Sequence, residues 1–140
     1  MNKVLLAALG VMLSMSAVAD SQARDIMEKA YARDDGSNAV STMQMILIDK
    51  NDKKRIRLMR TFSKDIDANT EHKVIFFLSP SDVKNTAFLT YDYKSDDKDD
   101  DQWMYLPALK KTKRIPASDK GASFMGSDFS YSDMTAKDLD

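Results

Sequence analysis

Residues 40–62 read VSTMQMILIDKNDKKRIRLMRTF, and this stretch decides the fold class. Apolar side chains recur at every second position on both sides of the polar segment from Asp49 to Lys54. A period of two residues is typical of β-strands, and a short polar segment rich in Asn and Asp is typical of the turn between them. The sequence therefore predicts an antiparallel hairpin whose turn is set by Asn51-Asp52.

More strands with the same period follow along the chain. We predict strands over Glu71–Leu78, Thr86–Tyr93, Gln102–Leu106 and Lys111–Ile115, a linker over Ser63–Thr70, and pairing of the last two strands. Upstream, Ser21–Arg33 has the apolar spacing of an amphipathic helix that buries one stripe. One helix followed by four to six antiparallel strands predicts an α+β fold.

Several of these strands are apolar on both faces. Ile46 and Ile48 alternate with Met45 and Leu47, although a sheet with one face in water alternates apolar with polar residues. The second face must therefore be covered. The helix, a further segment of protein, a partner chain or an apolar ligand are the alternatives.

Residues 1–19 have the pattern of a cleavable secretion signal. Lys3 precedes an apolar run from Val4 to Val18, and the small residues Ala17 and Ala19 mark a cut after Ala19. The run is too short to favour a permanent transmembrane helix. The sequence thus predicts a mature, exported chain of residues 20–140 in the periplasm. The chain has no cysteine, which excludes disulfides and a lipid anchor on a cysteine after the cut.

The composition argues against several functional classes. The chain has 21 Lys plus Arg and 22 Asp plus Glu, a balance unlike that of nucleic-acid binders. His72 is the only histidine, so no His-based metal cluster is predicted. A serine nucleophile would need His72 as its base, but the G-x-S-x-G motif of such hydrolases is absent. The aspartate-rich segment Asp92–Asp101 lacks the glycine of a calcium loop and is interpreted as a solvated hairpin loop. We expect no enzymatic activity, no metal and no cofactor.

Four cations follow within five residues: Lys110, Lys111, Lys113 and Arg114. They are predicted to contact lipid headgroups or a partner protein. The alternative is a solvated edge strand that lysines protect, with the aspartate-rich segment as its counterion.

Five segments carry a resemblance to a known family: FLSPSDVK (77–84), TAFL (86–89), QWMYLPAL (102–109), RI (114–115) and SFMGSDF (123–129). They resemble the outer-membrane lipoprotein-sorting family, periplasmic proteins with a LolA-like fold. The resemblance implies a curved, incomplete barrel whose apolar concave face accepts acyl chains. Members are near twice this length, so residues 20–140 are expected to lack the C-terminal part of the domain, and Phe124, Phe129 and Tyr131 to contact that part.

The resemblance also implies a function and a site. We expect a non-enzymatic carrier of lipid or lipoprotein acyl chains, or alternatively an accessory subunit that docks on an inner-membrane exporter of the RND type. Trp103 and Tyr105 are expected at the rim of the site. The expected cargo-binding side chains are Met43, Met45, Leu47, Ile56, Leu58, Val74, Phe76 and Phe88.

Overall fold

The computed structural model describes residues 21–30, 32–33, 36–94 and 98–135. The predicted secretion signal lies outside these residues. The chain divides into two units, one up to Asp35 with Asp138–Asp140, and one from Gly36 to Lys137.

The described part of the first unit contains helix α1 (residues 21–30). Two exposed ion pairs one turn apart join Arg24 to Glu28 and Asp25 to Lys29. Such pairs stabilise a helix only slightly. The buried stripe predicted from the spacing is wrong, because every residue of 21–30 is exposed. No helix in the described residues has the length and apolarity needed to cross a membrane.

The second unit contains one antiparallel sheet in which each strand pairs with the next along the chain. The sheet is open, since its two outermost strands do not pair with each other. Helix and open antiparallel sheet together confirm the predicted α+β half-barrel fold. The strands are β1 (Asn38–Ile48), β2 (Lys54–Asp67), β3 (Thr70–Ser79), β4 (Ala87–Tyr93), β5 (Asp101–Leu106) and β6 (Lys111–Ile115).

Aspartates close the first two turns. The Oδ1 atom of Asp49 accepts hydrogen bonds from the N–H groups of Asn51 and Lys53, at 2.8 and 3.0 Å. Asp67 accepts one from the N–H of Asn69 at 2.8 Å. The linker predicted over 63–70 is therefore wrong: β2 runs on to Asp67 and pairs with β3 across a tight turn. Residues 63–70 are mostly polar because most of their side chains are exposed. They can still form a strand, since backbone hydrogen bonds hold a strand whichever side chains it carries.

The register of the strands divides the side chains between two faces. Residues directly opposite each other in neighbouring strands point to the same side. Residues 116–135, the cover segment, pack on one side, which we call the covered face. The other side is the open face. The core on the covered face contains Met59, Ile75, Phe77, Phe88, Met104 and Ile115 from the sheet, with Phe124 from the cover segment.

Phe124 is the centre of this packing. Its side chain is fully buried, with its ring 5.0 Å from Phe88, 5.7 Å from Tyr131 and 6.1 Å from Phe77. Tyr131 is half-buried, and burial raises the pKa of its hydroxyl. The expectation that Phe124 and Tyr131 need partners from further sequence is wrong, because the sheet itself supplies them. Phe129, by contrast, is 54% exposed.

Two hydrogen bonds fix the cover segment to the sheet. The buried side chain of Gln102 donates from Nε2 to the carbonyl oxygen of Tyr131 at 2.8 Å. Arg57 donates from Nη1 to the carbonyl oxygen of Met125 at 2.5 Å. Burial, with repulsion from Arg55, lowers the pKa of Arg57. The carbonyl of Tyr131 also accepts from the N–H of Met134 at 3.2 Å, so the bond from Gln102 uses its second acceptor position.

A tight turn presents the carbonyl of Met125 to Arg57. Met125 and Gly126 have φ values of 54° and 73°, and the N–H of Ser127 donates to the carbonyl of Phe124 at 3.1 Å. Two successive left-handed residues are the geometry of a type I′ turn, which favours glycine. This turn accounts for the glycine in the SFMGSDF segment.

We predict that Phe124→Ala lowers the free energy of unfolding by about 3–5 kcal/mol, because it leaves a cavity beneath the cover segment. A urea unfolding curve measures the loss. Phe129→Ala removes the same side chain from an exposed position and should change stability by less than about 0.5 kcal/mol. Equal losses in the two variants would contradict the central role of Phe124.

Candidate functional site

The open face is the side of the sheet that the cover segment does not contact, and it carries exposed apolar side chains. On β1 and β2 this face carries two apolar pairs, Ile46 with Ile56 and Val40 with Phe62, and Thr42, Gln44 and Arg60 lie between them. Val40, Ile46 and Ile56 are 65%, 51% and 51% exposed. Exposed apolar side chains grouped on one face make that face a candidate interaction or ligand site.

A cavity of about 410 Å³ lies on this face over β3 to β6. Its size is within the range of small-molecule sites, which are lined mainly by apolar and aromatic groups. The register explains the grouping, because Leu89 lies opposite both Val74 and Trp103. The cavity is lined by Val74, Ala87, Leu89, Tyr91, Trp103, Tyr105 and Thr112.

Aromatic rings form one wall of the cavity. The ring of Tyr91 lies 4.8 Å from that of Trp103, edge to face, and its other neighbour is His72, stacked at 3.7 Å. These side chains have apolar bodies and polar ends, so the wall offers apolar contact together with a few hydrogen-bonding groups. An amphipathic ligand with an apolar chain suits such a lining.

Charged residues lie beside the cavity at the start of β5. Arg114 donates to Oδ1 of Asp101, and the hydroxyl of Tyr93 donates to its Oδ2 at 3.2 Å. The hydrogen bond from Arg114 is the main reason that the pKa of Asp101 lies below its ordinary value. Asp101 thus serves as counterion to Arg114, as the sequence suggested for the aspartate-rich segment. In the described residues no cluster of acidic or histidine side chains is arranged to hold a metal ion.

The eight expected cargo residues do not share one face. Ile56, Leu58, Val74 and Phe76 lie on the open face, whereas Met43, Met45, Leu47 and Phe88 lie on the covered face. The expectation that they line a single concavity is therefore wrong. The register of the first hairpin is the reason, because it places Met45 opposite Arg57 instead of Ile56 or Leu58. Phe88 is only 1% exposed and belongs to the core.

The rim residues and the cations are also placed by the register. Trp103 and Tyr105 lie on the open face and line the cavity. Arg114 is opposite Trp103, beside the cavity. Lys111 and Lys113 lie opposite Leu106 and Met104, toward the covered face. Lys110 is in the turn before β6, with φ of 49°. The expected patch of four cations is therefore divided, and Arg114 is the member next to the cavity.

Sequence reasoning missed four residues of the lining: Ala87, Leu89, Tyr91 and Thr112. A signal for three of them was present. They occupy alternate positions in β4, in the phase opposite to the buried Phe88 and Thr90. If the alternate residues of β4 had been assigned to two different faces, the cavity residues of this strand would have been separated from its core residues.

Two solved structures are similar to this chain. A domain from Vibrio parahaemolyticus described as an outer membrane lipoprotein-sorting protein is 37% identical, with a TM-score of 0.74, over 84% of this chain and 49% of that one. A DUF1329 family protein from Desulfovibrio piger is 32% identical, with a TM-score of 0.72, over 84% of this chain and 48% of that one. The chain spans about half the length of these two structures. No curated protein matches it.

These similarities confirm the resemblance to outer-membrane lipoprotein-sorting proteins that was stated from the sequence motifs. A family model with the description "Uncharacterized protein" matches residues 69–140. The chain belongs to that family.

We predict that Asp101→Asn lowers the urea midpoint at pH 7, since it removes the partner of Arg114. The pKa of Asp101 is lower in the folded chain than the ordinary aspartate pKa of about 3.9. The contribution of Asp101 to the stability of the fold is therefore fully present above about pH 3.9, and it is lost as the pH falls through the folded-state pKa. The difference between wild type and variant should therefore shrink below about pH 4. Asp99→Asn, a neighbouring exposed aspartate, is the control; a difference independent of pH would contradict the assignment.

Proposed function

We propose that this protein is a periplasmic carrier that binds a lipid, or the acyl chains of a lipoprotein, on its open face without catalysing a reaction. The observation that carries the proposal is the apolar cavity on the face that the cover segment leaves exposed. The name of the Vibrio parahaemolyticus neighbour supports the same class of cargo. The predicted signal at residues 1–19 supports the location.

The energetics of an apolar chain suit reversible binding. Each buried methylene contributes about 0.8 kcal/mol, so ten contribute about 8 kcal/mol before the entropy cost of association. The net affinity is then weak enough for release to an acceptor with a better site. No covalent step is needed, which agrees with a site built from aliphatic and aromatic side chains.

Polarity around the cavity suggests how the ligand is oriented. Its centre is aliphatic, with Val74 and Leu89, whereas Tyr105, Thr112 and the neighbouring Arg114 offer polar atoms toward β6. We expect the acyl chain to lie over β3 and β4, and the polar end of the ligand to face β6. An anionic or hydroxylated headgroup fits these hydrogen-bond donors.

Trp103 provides a direct measurement, because it is the only tryptophan and it lines the cavity. Delipidated protein titrated with palmitate should show a saturable shift of tryptophan emission to shorter wavelength, as ligand replaces water around the indole. Leu89→Glu places a charge in the lining and should weaken binding at least tenfold, about 1.4 kcal/mol.

Leu109→Glu is the matched control. Leu109 is 63% exposed in the turn between β5 and β6, so the same substitution there should leave palmitate binding unchanged. Circular dichroism verifies that both variants are folded. Absence of saturable binding in the wild type, or an equal loss in the two variants, would refute the carrier proposal.

A further inference from the structure

A single row of side chains, one from each strand, crosses the open face. Residues that lie opposite each other in neighbouring strands share a side, so the register alone defines the row. In order from β1 to β6 the row consists of Val40, Phe62, Val74, Leu89, Trp103 and Arg114. Neighbouring strands are about 4.8 Å apart, so the row spans roughly 24 Å. A line of apolar side chains thus leads across the sheet to one cation.

The middle of this row is the floor of the cavity. Val74, Leu89 and Trp103 line the cavity, and its other lining residues come from the rows on either side. Neither of those flanking rows is apolar from end to end, because one contains Arg60 and the other contains Lys64. An acyl chain therefore buries most of its apolar surface when it lies along the row, across the strands.

Arg114 is held at the end of the row with most of its hydrogen-bonding capacity unused. Its Nη2 atom donates to Oδ1 of Asp101, and the hydroxyl of Tyr93 donates to Oδ2 of the same carboxylate at 3.2 Å. A guanidinium group has five N–H donors, so an arginine fixed by one partner can still bind a ligand. The side chain of Arg114 is 64% exposed, and that of Asp101 is 20% exposed. The pair therefore presents its cation to a ligand, and not its carboxylate.

Two neighbouring side chains of the aspartate-rich segment are also engaged. Oδ1 of Asp100 accepts from the N–H of Tyr93 at 2.9 Å. The ammonium group of Lys98 lies 3.5 Å from the centre of the Tyr93 ring and adds positive charge near Asp101. Both contacts reduce the repulsion that an anion beside Arg114 experiences from this segment.

We propose that the ligand of the cavity is an anionic lipid, with its acyl chain along this row and its carboxylate or phosphate bonded to the guanidinium group of Arg114. The inference rests on the proposed function and narrows it. The acyl chains of a lipoprotein are attached through uncharged amide and ester groups, which gain little from a cation. Carboxylate and phosphate, by contrast, match the planar fork of an arginine, and such bonds are stronger than those between neutral groups.

The charges of the rest of the open face favour the same class of ligand. Arg60 and Lys64 lie on this face, and neither forms an ion pair with a described residue. Unpaired cations around an apolar site attract an anionic ligand from a distance. Both are on β2, however, outside the lining of the cavity. Arg114 is the cation at the end of the lined part of the row, so the selection for charge is assigned to it.

Three ligands with the same palmitoyl chain test the charge. Palmitate carries a carboxylate, palmitoyl lysophosphatidate carries a phosphate, and monopalmitin is uncharged. Titrated through Trp103 emission, an anion should bind about tenfold or more tightly than monopalmitin, the size expected for one hydrogen bond to a charged group. An advantage of palmitate identifies a carboxylate as the bound group, and an advantage of lysophosphatidate identifies a phosphate; either supports the proposal. Equal binding of all three overturns it and leaves the carrier function standing, whereas no binding of any refutes both.

Arg114→Gln tests the selecting residue. It should abolish the preference for an anion and leave the affinity for monopalmitin unchanged. Lys113→Gln removes the same charge on the other side of β6, and Lys64→Gln removes it on the open face outside the cavity, so both should keep the preference. Circular dichroism verifies that the variants are folded. A preference that survives in Arg114→Gln, or an equal loss in a control, would overturn the assignment.

A double variant separates the lost bond from a new repulsion, because Arg114→Gln leaves the carboxylate of Asp101 without its cation. Arg114→Gln combined with Asp101→Asn has neither charge and should still show no preference. Return of the preference in the double variant would mean that Arg114 only neutralises Asp101, which contradicts a bond to the ligand.

Quenching by bromine tests the direction of the acyl chain. Trp103 is next to Arg114 in the row, so bromine close to the carboxylate of a brominated palmitate should quench its emission more strongly than bromine at the methyl end. Stronger quenching by bromine at the methyl end would show that the chain lies the other way round and would overturn the proposal.

Discussion

The packing of Phe124 against the sheet is the interaction on which the rest of the structure depends. An open antiparallel sheet with apolar side chains on both sides needs something to remove at least one side from water. Here about twenty residues after β6 do so, with Phe124 between Phe77 and Phe88. A segment of this length covers one face and not the other. The open face is therefore a consequence of how the core is built.

The division into two faces gives the site its character. The covered face contains the buried polar groups Arg57 and Gln102, which bind the cover segment. The cavity on the opposite face is lined by aliphatic and aromatic side chains with few polar atoms. The core and the cavity thus lie on different sides of the same strands, with Phe88 in the core and its neighbour Leu89 in the cavity lining.

The period of two residues predicted most of the strands from the sequence. It failed for the end of β2, where Lys64, Asp65 and Asp67 are polar because that end of the hairpin is exposed. It also could not assign faces across strands. Alternation within a strand fixes which residues share a side, but the phase between two strands depends on turn length and on irregularities such as that at Leu58 and Met59. This is why Met43 and Ile56 were grouped together although they lie on opposite sides.

The cover segment was the least predictable part. Its aromatic residues were visible in the sequence, but no local pattern indicates that they return to the sheet. The bond from Arg57 to Met125 joins residues 68 positions apart, and a contact of that kind follows from the tertiary fold alone. For the same reason the lining of the cavity could be recognised only in part, through Val74, Trp103 and Tyr105.

The hydrogen bonds that Arg57 and Gln102 donate to the cover segment end on main-chain carbonyls, those of Met125 and Tyr131. A carbonyl is present whatever side chain a residue carries. Evolution is therefore free to alter the side chains at 125 and 131 without losing either anchor, provided that the replacements still fill their space. The donors Arg57 and Gln102 have no such freedom, because their side chains make the bonds. Substitutions should therefore be tolerated better at positions 125 and 131 than at Arg57 and Gln102.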